Sequence, residues 1–116
     1  MNGTEHRTIA RRELGSVLGP VIVELDGPRA DGADAACNYR IAGPRIGAAG
    51  QVRGVDGFQA LHLAMERIGA ALRASEEFAA GPLRWLDMDE PGFPLPPRLA
   101  GLTWRAAGTP PDTARL

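Results

Sequence analysis

Gly54-Val55-Asp56-Gly57-Phe58-Gln59-Ala60-Leu61-His62-Leu63-Ala64-Met65-Glu66-Arg67-Ile68 is the stretch on which the fold turns. Asp56 followed three residues later by Gln59 has the form of a capping box, in which a carboxylate serves the free amides of a first helical turn and a side-chain amide reaches back. Beyond the cap, Phe58, Leu61, Met65, Ile68 and Leu72 recur at spacings of three and four, with Ala60, Ala64 and Ala71 beside them. This predicts a helix over about 56–79 that buries one apolar stripe. Gln59, His62, Glu66, Arg67 and Arg73 lie mostly off that stripe and should face water. Gly81-Pro82 is the stop signal. Glu76 and Glu77 near that end oppose the helix macrodipole, so a break is expected at Ser75.

Upstream of the helix the period changes to two. Residues 8–14 alternate loosely before the Gly15-Ser16 turn and read as an edge strand. After Pro20, Val21, Val23 and Leu25 point one way while Ile22, Glu24 and Asp26 point the other, the pattern of a half-buried strand. Gly27-Pro28 through Asp34 reads as a loop. Then Cys37, Tyr39 and Ile41 alternate with Ala36, Asn38 and Arg40 as a second clear strand, ended by Gly43-Pro44. Residues 50–55 form a short, glycine-weakened fourth strand. Past the helix, Leu83-Arg84-Trp85-Leu86 reads as a last strand returning to the sheet.

The expected fold class is α+β: an antiparallel four- to five-stranded sheet with one long helix packed on one face (ββββαβ), followed by an extended Pro-rich C-terminal segment. The single domain spans 1–104. Strands occupy about 8–55, the helix about 56–79, a strand about 83–86 and the extended segment 87–104, where prolines 91, 94, 96 and 97 stand. Residues 105–116 are expected to be a disordered tail.

Composition narrows the chemistry. The chain has 116 residues, enough for a core without staples, and its one cysteine, Cys37, cannot form an internal disulfide. Met1–Arg7 lacks an apolar signal core and no stretch is long enough to span a bilayer, so a soluble cytoplasmic protein is expected, with no membrane partner. Thirteen basic residues against 14 acidic ones, with no long run of either sign, give no footprint for nucleic acid. All the basic residues are arginine. The absence of lysine removes the phosphate-loop lysine, Schiff bases and lysine general bases together.

The quoted helix start, followed by Leu83-Arg84-Trp85-Leu86 and Gly92-Phe93-Pro94, resembles a family of small bacterial proteins known as domain of unknown function 6968. The upstream segment is similar as well, with a valine-rich strand and a Tyr-Arg-Ile strand before the Val-Asp-x-x-Gln-Ala-Leu helix start. The likeness covers about residues 19–95. It implies a bacterial origin and assigns no activity, so no catalytic residue carries over. The segment around Glu76-Glu77-Phe78 and the proline-rich extension depart from the pattern.

Few constellations carry chemistry. Asp87-Met88-Asp89-Glu90-Pro91-Gly92 begins like a calcium loop, but Pro91 stands at position five and Arg98 at position twelve, where a bidentate glutamate should close the shell. It reads as a solvated acidic turn, and His6, His62 and Cys37 show no metal-site spacing. No cofactor, metal site or catalytic residue is assigned. Ser16 and Ser75 lack a nucleophile setting, Cys37 falls on an inward face away from His62, and Asp56 is a cap.

Arginine is the suggestive feature. Arg12, Arg40 and Arg53 are expected on the polar sheet face with Glu24 and Asp26, either as a lattice of cross-strand charge pairs or as an anion pocket formed by Arg40, Arg53 and Tyr39. Phe93 and Trp104 are candidates for partner docking, with core packing the other reading. Two functions follow: a non-catalytic interaction, accessory or immunity-like module, or a small-molecule (anion or carboxylate) binder or enzyme with an arginine-lined pocket. One helix, roughly 10 Å across, shields about two strands spaced ~4.8 Å apart, so part of the apolar face stays open. The C-terminal segment up to Trp104 could close it, as could a second protomer, and a homodimer or an unidentified protein partner is expected on that ground.

Overall fold

A computed structural model describes residues 7–99 and 101–104. The predicted tail at 105–116 and His6 lie outside the described residues. Five strands form one antiparallel sheet: β1 (Thr8–Leu14), β2 (Val21–Asp26), β3 (Arg29–Asp31), β4 (Asp34–Ala42) and β5 (Gly47–Gly54). β4 is central. Along one side it pairs with β5 from Ala35↔Gly54 to Ala42↔Gly47, and along the other with β2 at residues 39–42 and β3 at 34–36. β1 pairs only with β2 and β3 and β5 only with β4, so β1, β3 and β5 are the edges. Val21, Val23 and Leu25 meet Cys37, Tyr39 and Ile41 on the buried face, as the period-2 pattern dictates.

One long helix, α1 (Gly57–Arg73), covers that face, and the α+β class with an antiparallel sheet and one long helix stands as read from sequence. Asp56 caps it, accepting from the Gln59 N–H at 2.9 Å. Gln59 Oε1 in turn accepts from Val55 N–H at 2.7 Å, one residue further out than a standard capping box. The break comes where expected: α1 ends at Arg73, and Ser75 caps a short α2 (Glu76–Ala80) through Phe78 N–H. Glu76 and Glu77 therefore sit in a first turn, where the helix dipole favours them.

Three details differ from the sequence reading. The fifth strand is β3, inside the stretch read as a loop, because Gly32 takes φ 66° at the first position of the turn joining it to β4. Leu83–Leu86 is not a sheet strand. Arg84 instead exchanges two backbone hydrogen bonds with Gly15 (2.8 and 2.9 Å), and Trp85 pairs with Met88 across a tight turn. The helix stripe is also rolled. Ala60, Ala64, Ile68 and Leu72 are fully buried, Leu61 and Met65 pack at the margin, and Phe58 is 86% exposed. α1 lies so close over β5 that a Cβ on Gly54 would reach 2.5 Å from the Ala60 nitrogen. Small helix residues therefore take the seat, and the larger ones are displaced toward β1 and β2.

The segment after α2 straps the helix to the sheet. Arg12 Nη1 donates to the Pro91 carbonyl at 3.0 Å, and its guanidinium stacks 3.6 Å from the Trp85 ring centre and 5.2 Å from that of Phe93. The chain then crosses α1 at Gly69, where a methyl group would collide with the Pro94 carbonyl. Beyond it, Trp104 Nε1 donates to the Phe93 carbonyl at 3.2 Å, its ring meets Phe78 edge-on at 5.7 Å, and Arg73 Nε holds the Thr103 carbonyl at 2.8 Å. The segment up to Trp104 thus packs on its own chain. Gly69→Ala, ordinarily stabilising by up to ~1 kcal/mol in a helix, should here destabilise by about 1–3 kcal/mol and shift tryptophan fluorescence to the red. Denaturant titration reads both effects.

A buried carboxylate fixes the other end. Glu77 is 0% exposed, and its Oε2 accepts from Arg45 N–H (2.7 Å) and Ile46 N–H (2.9 Å), closing the β4–β5 turn. Burial works to raise this carboxyl. The donated backbone hydrogen bonds from Ile46, Arg45 and its own residue, with the Arg45 charge, outweigh burial and hold it below the ordinary carboxylate range. A folded-state value below the unfolded one means the stabilisation is complete above the unfolded value near ~4.3 and is lost as pH falls through the folded value. Urea midpoints should therefore drop below about pH 4. Glu77→Gln should be less stable by about 1–3 kcal/mol at neutral pH and show a shallower acid limb.

Candidate functional site

The sheet's outer face carries a lattice of charge pairs. Arg40 Nε donates to Glu24 Oε1 at 3.2 Å and Nη2 to Asp26 Oδ1 at 3.1 Å and Thr8 Oγ1 at 2.9 Å. Arg11 lies 3.8 Å from Glu24, Arg29 donates to Asn38 Oδ1 at 3.0 Å, and Arg53 Nη2 meets Asp31 Oδ2 at 2.7 Å. These are cross-strand pairs set by register, such as Glu24↔Arg40 and Arg11↔Glu24. Asp26, 1% exposed, is the buried member. Its hydrogen bond, more than any other influence, keeps the Arg40 guanidinium above its usual range.

Tyr39 does not join Arg40 and Arg53. It points to the helix side, its ring against Gly50, where a Cβ would come within 2.8 Å of the ring. Arg12 is likewise on the helix side, clamped by Trp85 and Phe93. Phe93 and Trp104 are half-buried in the strap, where Trp104 Nε1 donates to the Phe93 carbonyl, and Phe93 also lines an apolar hollow. Cys37 is buried; its Sγ donates to the Asp26 carbonyl at 3.0 Å, and desolvation, then the Asp26 charge, push its thiol upward against a smaller opposing pull from Arg29. Asp89 pairs with Arg84 at 3.0 Å, and among the described residues no three acidic, His or Cys side chains gather as a metal site.

Because the strap crosses α1, it leaves an opening on each side. On the β1 side is a half-open apolar hollow of about 160 Å³ between Ala10, Val23, Leu25, Met65, Ile68 and Phe93. Ile9 and Phe58 are exposed, and Ile9 stands over Gly27 as Pro28 stands over Gly57. On the β5 side is a cleft of about 460 Å³ between Gln51–Arg53, the α1 residues Leu63, Glu66, Arg67 and Ala70, and Pro96 and Arg98. Arg67 and Arg98 form no ion pair among the described residues, whereas Glu66 faces His62 at 3.1 Å.

The family model described as a domain of unknown function (DUF6968) matches residues 6–95. The chain belongs to this family. No curated protein and no solved structure matches it. The DUF6968 span holds the sheet, both helices, the Arg12 clamp and the Gly69 crossing, and it ends before Arg98 and Trp104. Sequence reading placed Arg67 in water and gave Arg98 no site. Neither has a motif, and only the strap's path brings them to one cleft.

Replacing Arg40 with alanine strips Asp26 of its charged partner. The expected cost is about 1–3 kcal/mol, toward the lower end because the guanidinium is partly exposed and screened. Chemical denaturation of Arg40→Ala checks it, and a midpoint equal to wild type would show that the lattice adds nothing.

Proposed function

We propose that this DUF6968 protein is a non-catalytic interaction module that docks through the apolar face beside β1, and that the occupant of that face is a second copy of the chain. The observations that carry this reading are the exposed Ile9 and Phe58 and the apolar hollow at Met65 and Ile68, with Phe58 seven residues before Met65 on the same helix stripe. Exposed apolar area of this kind marks docking surfaces. A two-fold interface needs a self-complementary patch, and a protruding phenylalanine two to three helical turns from a ring-sized apolar hollow supplies both halves. Antiparallel approach of two α1 helices would bring each Phe58 toward the partner's hollow.

The non-catalytic side of the reading is supported by what occupies the reactive groups: Cys37 is buried and hydrogen-bonded, and Asp56 is engaged as a cap. A bacterial cytoplasm suits a chain with one buried free thiol. Among the described residues no helix is long and apolar enough to cross a membrane.

Light scattering across a micromolar concentration series tests the docking face. The wild-type chain should give the mass of a dimer, and Phe58→Asp should give a monomer that still unfolds cooperatively, at a midpoint that no longer depends on protein concentration. A monomeric wild type, or a dimeric Phe58→Asp, would overturn the reading.

A further inference from the structure

We infer that the cleft on the β5 side is a binding site for an extended acidic peptide segment of a partner protein, which adds to the free edge of β5 and places its carboxylates on Arg67 and Arg98. This inference is independent of the apolar face beside β1, since the strap and α1 separate the two openings.

β5 pairs with β4 alone, so alternate residues turn their N–H and C=O groups toward the opposite edge, and among the described residues Gln51–Arg53 make no backbone hydrogen bond outside the sheet. That edge lines the cleft. An extended backbone is the chemistry that satisfies such a row of donors and acceptors, as in strand addition. The side chains around it select the charge. Arg67 approaches from α1 and Arg98 from the strap that crosses over it, both on the helix-covered side of the sheet, and both are unpaired among the described residues. Arg53 is already bound to Asp31 at 2.7 Å, and Glu66, the cleft's acid, lies against His62 at 3.1 Å with 14% of its side chain exposed. Two guanidinium forks, each able to hold a carboxylate with two parallel hydrogen bonds, are thus left to meet a ligand, against the single, mostly covered carboxylate of Glu66.

The cleft also has an apolar wall. Leu63, Ala70 and Pro96 stand among the arginines, and alternate side chains of an added strand point to opposite faces. A sequence alternating acidic and small aliphatic residues would turn all its carboxylates toward the arginines and its aliphatic groups to the opposite face. Among the described residues no aromatic ring faces the cleft to stack a base, and the chain's net charge is −1, so single-stranded nucleic acid is the poorer fit.

The test uses the full chain and a fluorescein-labelled hexapeptide alternating Glu and Val, followed by anisotropy at low and high salt. The expected result is saturable binding that weakens with salt, is at least about tenfold weaker for the Arg67→Glu/Arg98→Glu double variant, and is absent for the Lys–Val counterpart. Amide hydrogen exchange at Gln51–Arg53 should slow on peptide addition, which a free carboxylate such as glutarate would not reproduce. The denaturant midpoint of the double variant, whose two arginines make no ion pair, reports that the fold is intact. Equal binding by wild type and the double variant, binding of the Lys–Val peptide, unchanged exchange at β5, or tighter binding of a single-stranded oligonucleotide would each overturn the inference. The Phe58→Asp chain should bind the peptide as wild type does, which keeps this outcome separate from that of the dimer.

Discussion

The rest of the molecule depends on the passage of the strap over α1 at Gly69. A helix residue with any side chain would hold the Pro94 carbonyl away, and the segment from Pro91 to Trp104 would lose its track across the helix. Glycine in the middle of a helix ordinarily costs about 0.5–1 kcal/mol relative to alanine. Here that cost is offset by what the crossing allows on either side: Arg12 sandwiched by Trp85 and Phe93 on the β1 side, and the Trp104–Phe78 contact with the Arg73–Thr103 hydrogen bond at the helix end. Proline suits the strap because an extended segment without regular partners loses less entropy when its φ angles are preset.

The same crossing explains why the sheet's apolar face is not closed. α1 sits over β4 and β5, drawn there by the close approach of Ala60 to Gly54. β1 and β2 are then left to the strap, which covers them only as far as Phe93 and leaves a hollow at Met65 and Ile68. On the other side, the strap passes Ala70 and delivers Arg98 toward Arg67. Two openings of opposite character, one apolar and one cationic, thus come from a single path of the chain.

The fold class was legible because local signals and tertiary packing agree. The alternation of Val21, Val23 and Leu25 with Glu24 and Asp26 gives the buried and charged faces, and Asp56 caps the helix as its spacing requires. Ser75 breaks it where two glutamates would have opposed the dipole. The misreadings have physical causes. Spacing alone cannot say which of two adjacent apolar stripes meets the sheet; the glycines and alanines of β5 decided for Ala60 and Ala64 and left Phe58 in water. β3 is three residues long, too short for a period to register, although Gly32 signalled its turn. Arg67 and Arg98 are 31 positions apart in the sequence and share a cleft only through the strap.

An all-arginine set of cations makes this division of labour sharper. A guanidinium holds several partners in fixed directions, so Arg40 can serve Glu24, Asp26 and Thr8 together while Arg12 stacks between two rings and still donates to a carbonyl. A lysine ammonium offers neither the planar stack nor the fork. The structural arginines are therefore saturated by their geometry: Arg40 by two carboxylates, Arg53 by Asp31, Arg73 by Phe78 and Thr103. Two of the arginines without such partners share one cleft. Arg67 and Arg98 differ from these residues in lacking any such engagement among the described residues, and both lie where an edge strand leaves its own backbone groups unpaired. A side chain with this capacity for directed hydrogen bonds, left without a partner beside a free strand edge, places recognition rather than stability on the β5 side of the molecule.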